Sequence, residues 1–134
     1  MYKSFEEVIK FAIEFRHNLH KNPELTWDEV DTAKAIRKIL DEYNITWKKF
    51  AGTGTVAYLA QDKKGEHIAL RGDIDALPLQ EETKVEYKSQ KIKCMHACGH
   101  DGHTATLMCA AIWLKQKEDQ IMNPISLIFQ PAEE

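Results

Sequence analysis

The stretch Ile125-Ser126-Leu127-Ile128-Phe129 decides the class of fold, because four of its five residues are large and apolar. A short, almost continuous apolar run of this kind is typical of a strand that is buried on both faces of a sheet. Earlier in the chain, the sequence predicts further strands at residues 67–71, 55–60 and 45–47, separated by polar turns that contain glycine. The chain therefore supplies several short strands for one sheet.

A helical pattern precedes these strands. Ser4 and Glu7 form a capping box at its start, and it should end before Pro23, because the residue before a proline avoids the α region. His17 and His20 fall in its last turn, where positive charge is favourable, so a helix-capping role is predicted for both. The apolar face of this first helix comprises Phe5, Val8, Ile9, Ala12, Ile13 and Leu19.

Two further helices are predicted from the same kind of pattern. Thr26 and Glu29 repeat the capping box ahead of a second helix that ends near residue 44. A third helix is predicted at residues 104–117, and the polar residues 79–93 are predicted to form a loop. Helices that alternate with short apolar strands predict an α/β fold.

Composition excludes several classes of protein. The 134 residues include 29% charged and 43% hydrophobic ones, which is the balance of a soluble globular protein rather than a disordered one. A net charge of −3 gives no sign of a nucleic-acid or membrane-surface partner. No apolar run approaches the ~18 residues of a membrane span, and no secretion signal precedes the first helix. We therefore expect a cytoplasmic protein whose three cysteines are reduced.

Residues 95–103 carry the densest group of chemically active side chains, with three histidines, one cysteine and one aspartate. Cysteine and histidine, mixed with carboxylates, suit zinc, cobalt, nickel or manganese. Gly99 lets the backbone turn so that Cys98 and His100 can face one point. The alternative is an ordinary helix start, with Asp101 as a charge partner for the helix and solvated histidines. This density of ligands favours metal binding.

Two pairs of carboxylates follow predicted strands. Asp73 and Asp75 are two residues apart at the end of a strand, so both can face one site at the sheet edge where α/β proteins bind ligands. Glu133 and Glu134 follow the last strand, and adjacent carboxylates can take different roles, one as a metal ligand and one as a base. The alternatives are two solvated acids in a turn and a charged chain end.

Other catalytic motifs are missing from the sequence. It contains no Gly-x-Ser-x-Gly elbow, no P-loop and no Gly-x-Gly-x-x-Gly, so a serine nucleophile and a nucleotide site have no support. Cys94 and Cys98 are four positions apart, which is not the spacing of a redox Cys-x-x-Cys motif.

Five segments, taken together and in order, resemble the N-terminal part of an M20-family metallohydrolase. The resemblance covers essentially the whole chain and is strongest to the branch with N-acyl-amino-acid amidohydrolases, hippurate hydrolases and auxin-conjugate hydrolases. It implies a catalytic domain of the zinc-exopeptidase (phosphorylase/hydrolase-like) type, with a mixed sheet and flanking helices. The segments are His-Lys-Asn-Pro-Glu-Leu at 20–25, Gly-Thr-Gly at 52–54, Leu-Arg-Gly-Asp-Ile-Asp-Ala-Leu-Pro at 70–78, Met-His-Ala-Cys-Gly-His-Asp-Gly-His at 95–103 and Phe-Gln-Pro-Ala-Glu-Glu at 129–134.

The resemblance also implies roles for individual residues. Cys98 matches a ligand that bridges two divalent ions (zinc, manganese, cobalt or nickel), His100 matches a ligand to one ion and Glu134 a ligand to the other. Glu133 matches the general base that activates water, and Asp75 matches an acid that supports the site. Three further residues match positions around the site to which we assign no role: Asp73, Asp101 and His103.

The implied activity is hydrolysis of the amide bond of N-acyl amino acids, a class of small molecules. Family members continue beyond Glu134 with two further histidine ligands and an inserted lid domain that serves in dimerisation. Residues 1–134 are therefore expected to be the N-terminal part of a catalytic domain. We expect the isolated chain to be inactive and, through exposed sheet edges, to self-associate, whereas full-length relatives form homo-oligomers. The alternative is a non-catalytic fragment that binds metal or thiols, or a truncated pseudoenzyme.

Overall fold

Three α-helices and four strands form most of residues 3–134, the part of the chain that the computed structural model describes. A short 3₁₀ turn precedes the last strand. The elements follow one another in the order α1 (Phe5–Lys21), α2 (Val30–Glu42), β1 (Thr46–Phe50), β2 (Gly54–Leu59), β3 (Ile68–Asp73), α3 (His100–Lys115), the 3₁₀ turn (Glu118–Gln120) and β4 (Ile125–Gln130).

The four strands form one mixed sheet in the order β1-β2-β4-β3. β2 pairs antiparallel with β1 and β4, whereas β3 pairs parallel with β4. The α/β class and the mixed sheet are thus confirmed. Because β3 and β4 run in the same direction, they end at the same sheet edge, where Asp73 lies opposite Gln130. The two acidic segments that follow these strands therefore emerge side by side.

The helices cover one face of the sheet. Leu127 and Phe129 of β4 are fully buried in a core that all three helices share. On the other face of β4, Ser126 is buried but Ile128 and Gln130 are only half-buried, so the expected burial on both faces is complete only on the helix side. The core includes Val8, Phe15, Leu19, Ile36, Leu40, Leu59, Ile74, Met108, Ile112, Leu127 and Phe129.

Helix α1 begins as predicted. The backbone N–H of Glu7 donates to Oγ of Ser4 (3.2 Å), and the Ser4 N–H donates to Oε2 of Glu7 (2.6 Å). The predicted apolar face is too wide, because only the side of α1 that packs on α3 and the sheet is covered. Val8, Ala12 and Leu19 are buried on that side. Three predicted core residues instead remain 38–50% exposed beside α3, namely Phe5, Ile9 and Ile13.

The start of helix α2 contradicts the predicted capping box, since neither Thr26 nor Glu29 caps the helix with its side chain. The carboxylate of Glu24 serves instead, accepting hydrogen bonds from the backbone N–H groups of Asp31 (3.1 Å) and Thr32 (2.6 Å). This arrangement satisfies two of the N–H groups that have no partner within a helix. Thr26 and Glu29 are thereby free to bind other parts of the chain.

Helix α3 begins at His100, four residues before the predicted start, and follows Gly99 in the left-handed conformation (φ 83°). A residue with a side chain is strained at such a φ, so glycine suits this position. Residues 79–93 contain neither helix nor strand, as predicted. In the described part of the chain, no helix combines the length and apolar character needed to cross a membrane.

Strand β3 forms one edge of the sheet. Its residues Ile68 and Leu70 are 43% and 37% exposed, so an apolar sheet edge is uncovered, as expected. Uncovered edges of this kind promote association between chains. Self-association of the isolated chain stays a prediction.

Candidate metal centre

Three segments converge at the sheet edge where the parallel strands end. The residues after β3 bring Asp75, those after β4 bring Glu133 and Glu134, and the first turn of α3 brings His100. Ligands of α/β proteins bind at this edge, beyond the carboxyl ends of the strands. The structure therefore gathers in one place the residues that the sequence places in separate segments.

His100 lies at the middle of this group and is 2% exposed. Its Nδ1 is 2.9 Å from the backbone oxygen of Asp75 and 3.2 Å from Oδ1 of the same residue. Both partners are acceptors, so Nδ1 carries the proton and Nε2 keeps a lone pair for a metal ion. Nε2 faces Oε2 of Glu133 at 3.6 Å and Oδ2 of Asp73 at 4.0 Å.

Cys98, His100 and Glu134 each present one ligand atom, and these atoms all lie within 4.8 Å of one another. Thiolate, imidazole and carboxylate are the donors that zinc and similar ions take. Without an ion, partial desolvation and the carboxylates of Glu134, Glu133 and Asp73 raise the pKa of the Cys98 thiol. A cation would reverse this effect and hold the thiolate. The donor set and its excess of negative charge therefore fit a divalent ion.

Asp75 connects the segments of the site and is 1% exposed. Its Oδ2 accepts hydrogen bonds from the Thr26 hydroxyl (2.8 Å) and from the Glu134 backbone N–H (3.0 Å). Burial opposes ionisation of Asp75, but the hydrogen bonds outweigh it and hold the pKa of this carboxyl below its ordinary value. Asp75 thus remains charged and holds the segment after β4 against the first turn of α3.

Glu29 holds the same segment from its other side. This side chain is fully buried, and it accepts hydrogen bonds from the Ala132 backbone N–H (2.9 Å) and from the Thr53 hydroxyl (2.7 Å). Beyond Ala132, the side chain of Glu134 is 18% exposed, whereas that of Glu133 is 40% exposed. The two adjacent glutamates therefore differ in their access to water, as different roles require.

Comparisons with known proteins agree with this geometry. Residues 69–134 match the model of peptidase family M20/M25/M40. The chain belongs to the M20 family.

Two characterised relatives are N-acetyl-L-cysteine deacetylase of Bacillus subtilis and hippurate hydrolase of Campylobacter jejuni. The first is 47% identical over 93% of this chain and 30% of the relative, and the second 44% identical over 96% and 34%. Among solved structures, a dinuclear metal-binding peptidase of the M20 family from Bacillus subtilis superposes with a TM-score of 0.90. It is 40% identical, with 96% of this chain and 36% of that one covered. The M20 chain described here thus spans about a third of the length of these relatives.

Asp73 and His103 lie on the outer side of the same M20 site. Oδ2 of Asp73 is 3.3 Å from Nδ1 of His103, and these two residues form a second group of possible ligands with His100. The other oxygen of Asp73 already pairs with Arg71 (2.8 Å), which partly neutralises this carboxylate. In the sequence, Asp73 belongs to the carboxylate pair after β3 and His103 to the ligand-rich segment 95–103, neither with an assigned role, and the structure places both beside His100.

All five residues predicted for the site lie together in the structure, although their individual roles as ligand, base or support stay predictions. Sequence reasoning missed Thr26 and Glu29, whose local pattern indicates a helix cap. It also missed His20, which is buried rather than a surface cap. One signal could have shown this: His20 lies eight residues after Ala12, so it continues the apolar face of α1.

Proposed function

We propose that this chain is the metal-binding part of an M20 amidohydrolase that cleaves the amide bond of N-acyl amino acids. The observation that carries the proposal is the convergence of ligand atoms from Cys98, His100 and Glu134, with the accessible carboxylate of Glu133 beside them. Two relatives are named for such reactions, N-acetyl-L-cysteine deacetylation and hippurate hydrolysis. In this proposal residues 1–134 are the N-terminal part of a catalytic domain, and a lid and further ligands come from other residues.

Together with further ligands from residues outside 1–134, Cys98, His100 and Glu134 would hold two divalent ions (zinc, manganese, cobalt or nickel). Such ions polarise an amide carbonyl and lower the pKa of water. Asp75 keeps the proton on Nδ1 of His100 and so fixes the orientation and the free lone pair of the ring. Partners of this kind raise the basicity of a histidine ligand.

Glu133 is the proposed general base. Its side chain is accessible and its Oε2 lies 3.6 Å from Nε2 of His100, so it can accept a proton from a water molecule at the site. It then delivers that proton to the leaving amine. This second transfer is needed because an amide anion is a poor leaving group.

We further propose a cytoplasmic protein with a small-molecule substrate that forms homo-oligomers at full length. The odd number of cysteines, namely Cys94, Cys98 and Cys109, supports this compartment, because it does not suggest a disulfide framework.

A non-catalytic metal-binding fragment is the second candidate. It is favoured by the number of ligands, because three residues of this chain are too few to hold two ions. Under this alternative the chain binds a metal ion but cannot hydrolyse an amide in any context.

A chimera distinguishes the two candidates. Residues 3–134 replace the matching segment of the Bacillus subtilis deacetylase, which supplies the remaining two-thirds of an M20 protein. We expect the chimera to hydrolyse N-acetyl-L-cysteine, while the isolated 134-residue chain with added zinc, manganese or cobalt turns over little or none. A chimera that folds and binds metal but is inactive, while the parent enzyme is active, would contradict the proposal and support the non-catalytic fragment.

A further inference from the structure

A second polar cluster lies behind the metal centre, on the other side of the first turn of α3. We define it as the buried clamp, which consists of Arg16, His20, Glu81 and Asp101. It joins the end of α1 to the loop of residues 79–93 and to the start of α3. The roles proposed above for M20 chemistry do not use any of these four residues.

His20 is the centre of the clamp, and its side chain is 7% exposed. Its Nδ1 lies 2.8 Å from Oδ2 of Asp101, and its Nε2 lies 3.1 Å from Oε1 of Glu81. A carboxylate can only accept a hydrogen bond, so each ring nitrogen donates to its partner. His20 therefore connects two buried carboxylates that are far apart in the sequence.

Asp101 is fully buried, and it directly follows His100 in the first turn of α3. Its Oδ2 accepts from His20 and from Nε of Arg16 (3.0 Å), while its Oδ1 has no hydrogen-bond partner in the described residues. The Arg16 side chain is 42% exposed, so water competes for its contact with Asp101, whereas the His20 ring is enclosed. The orientation of Asp101 thus depends mainly on His20.

Glu81 fixes the opposite end of the clamp. It accepts hydrogen bonds from the Ser89 backbone N–H and the Thr83 hydroxyl, in addition to that from His20. Burial opposes ionisation of Glu81, but these hydrogen bonds hold its pKa below the ordinary value. The loop therefore provides a rigid, charged support against which the His20 ring is held.

We infer that His20 is a positioning residue for the metal centre: through Asp101 it fixes the first turn of α3, and so places His100 and Cys98 opposite Glu134. This inference rests on the proposed metal-binding function. Helix α3 starts at His100, two residues after Cys98, so a small shift of its first turn is transmitted directly to both ligands. The competing explanation is that His20 contributes only to stability.

Two near-isosteric variants of the 134-residue chain separate these explanations. Asparagine places an amide N–H near the position of Nδ1, so His20→Asn keeps a donor to Asp101. Glutamine places it near Nε2, so His20→Gln keeps a donor to Glu81 and loses the contact with Asp101. The probe is Co²⁺ alone, titrated while its visible bands and the near-ultraviolet band of a Cys98 thiolate ligand are recorded.

We expect His20→Asn to bind Co²⁺ within about threefold of the unmodified chain, with the same spectrum. His20→Gln should bind about tenfold more weakly, with a shifted thiolate band, as is usual when support of a ligand is lost. His17→Asn is the matched control from the same helix, since His17 stacks on Tyr87 and contacts no carboxylate in the described residues. Val8→Ala controls for a general loss of stability at the far end of α1.

A double-variant cycle tests whether His20 acts through Asp101. Asp101→Asn alone should also weaken Co²⁺ binding about tenfold, and the double variant with His20→Gln should lose no more than either single variant. A loss of about a hundredfold in the double variant would overturn the inference, as would unchanged binding by folded His20→Gln or an equal loss in Val8→Ala. If His20→Gln does not fold, Asp101→Asn with a wild-type spectrum and affinity overturns it. Failure of the proposed function looks different, because the unmodified chain would then bind Co²⁺ without any thiolate band.

Discussion

The metal centre and the buried clamp lie on opposite sides of one helical turn, yet they differ in charge and in exposure. The centre gathers the thiol of Cys98 and four carboxylates around the imidazole of His100, and the side chain of Glu133 is open to water. The clamp sets Arg16 and the His20 ring against the carboxylates of Asp101 and Glu81, and those carboxylates are almost fully enclosed. These carboxylates accept hydrogen bonds from groups of the protein, although Oδ1 of Asp101 has no partner in the described residues, whereas the excess of negative charge in the metal centre needs a cation from outside. This difference in charge indicates that the metal centre binds the cation and that the buried clamp supports the structure around it.

The largest effect is expected for the base of the metal centre. In the deacetylase chimera, Glu133→Gln should lower kcat by about 10²- to 10⁴-fold, because the amide keeps the shape of the side chain and removes the base. Metal content, measured by elemental analysis, should be unchanged. Glu134→Gln is the matched control, since it should lose metal as well as activity. Fast turnover by Glu133→Gln would show that the wrong base is assigned.

The next effect concerns the thiol of the metal centre. Cys98→Ala should weaken binding of Zn²⁺ or Co²⁺ to the 134-residue chain by more than about a hundredfold, because it removes a ligand outright rather than its support. Competition with a chromophoric chelator measures the affinity. Cys109 lies within α3, is half-buried and is not part of the site, so the control variant Cys109→Ala should bind the metal ion normally. If Cys98→Ala retains stoichiometric metal, Cys98 is not a ligand.

A smaller effect is expected for the support of His100. Asp75→Asn removes the charge opposite Nδ1 and should weaken metal binding by about 10- to 100-fold, without abolishing it. Calorimetric titration with Zn²⁺ measures the change. The exposed Asp31, which pairs only with Lys34 among the described side chains, provides the control Asp31→Asn. Equal affinities for Asp75→Asn and the unmodified chain would contradict the supporting role.

The smallest effect on metal binding is expected for Glu81 of the buried clamp, where substitution should mainly lower the stability of the fold. Glu81→Gln should lower the free energy of unfolding at pH 7 by about 1–3 kcal/mol, since it weakens buried charge-assisted hydrogen bonds, and should leave Co²⁺ affinity within about threefold. The exposed neighbour Glu82 provides the control Glu82→Gln. Urea unfolding measures the difference. A large loss of metal affinity in Glu81→Gln would show that the charge of Glu81, and not only the contact between His20 and Asp101, is needed to position the metal ligands.

The difference in the free energy of unfolding between Glu81→Gln and the unmodified chain should depend on pH in a definite direction. Because the pKa of Glu81 is lower in the folded chain than its ordinary value of 4.5, its stabilising effect is complete above that value and is lost as the pH falls through the folded pKa. The deficit of Glu81→Gln in urea unfolding should therefore be constant from pH 7 down to about pH 5 and should shrink as the pH falls below the ordinary value of 4.5. A deficit that stays constant below that value as well would contradict the assignment.

Sequence reasoning succeeded where the signal is local. The apolar run of β4 identifies a central strand, and the spacing of Cys98, Gly99 and His100 places two ligands on one turn. The pairs after β3 and β4 meet because parallel strands end at the same sheet edge, a general property of such sheets. These features account for the α/β class and for the membership of the metal centre.

The clamp could not be predicted because its contacts join distant parts of the chain. His20 lies 81 positions from Asp101 and 61 from Glu81, and no periodic pattern connects them. The cap predicted at Thr26 and Glu29 failed for the same reason. The local pattern is that of a capping box, but the hydrogen bonds available from distant segments compete with it and prevail.

The position of β4 in the sheet has a consequence for how the chain folds. β2 and β3 are made earlier on the ribosome, yet they are not neighbours, and β4 must be inserted between them before either has a partner on that side. A nascent chain that lacks β4 therefore has only the β1–β2 hairpin, and β3 remains a lone strand. Such non-local pairing slows folding, because the entropy of closing a long loop is lost before any contact is gained. The sheet and the ligand cluster at its edge should consequently appear together, in one cooperative step after β4 has been made.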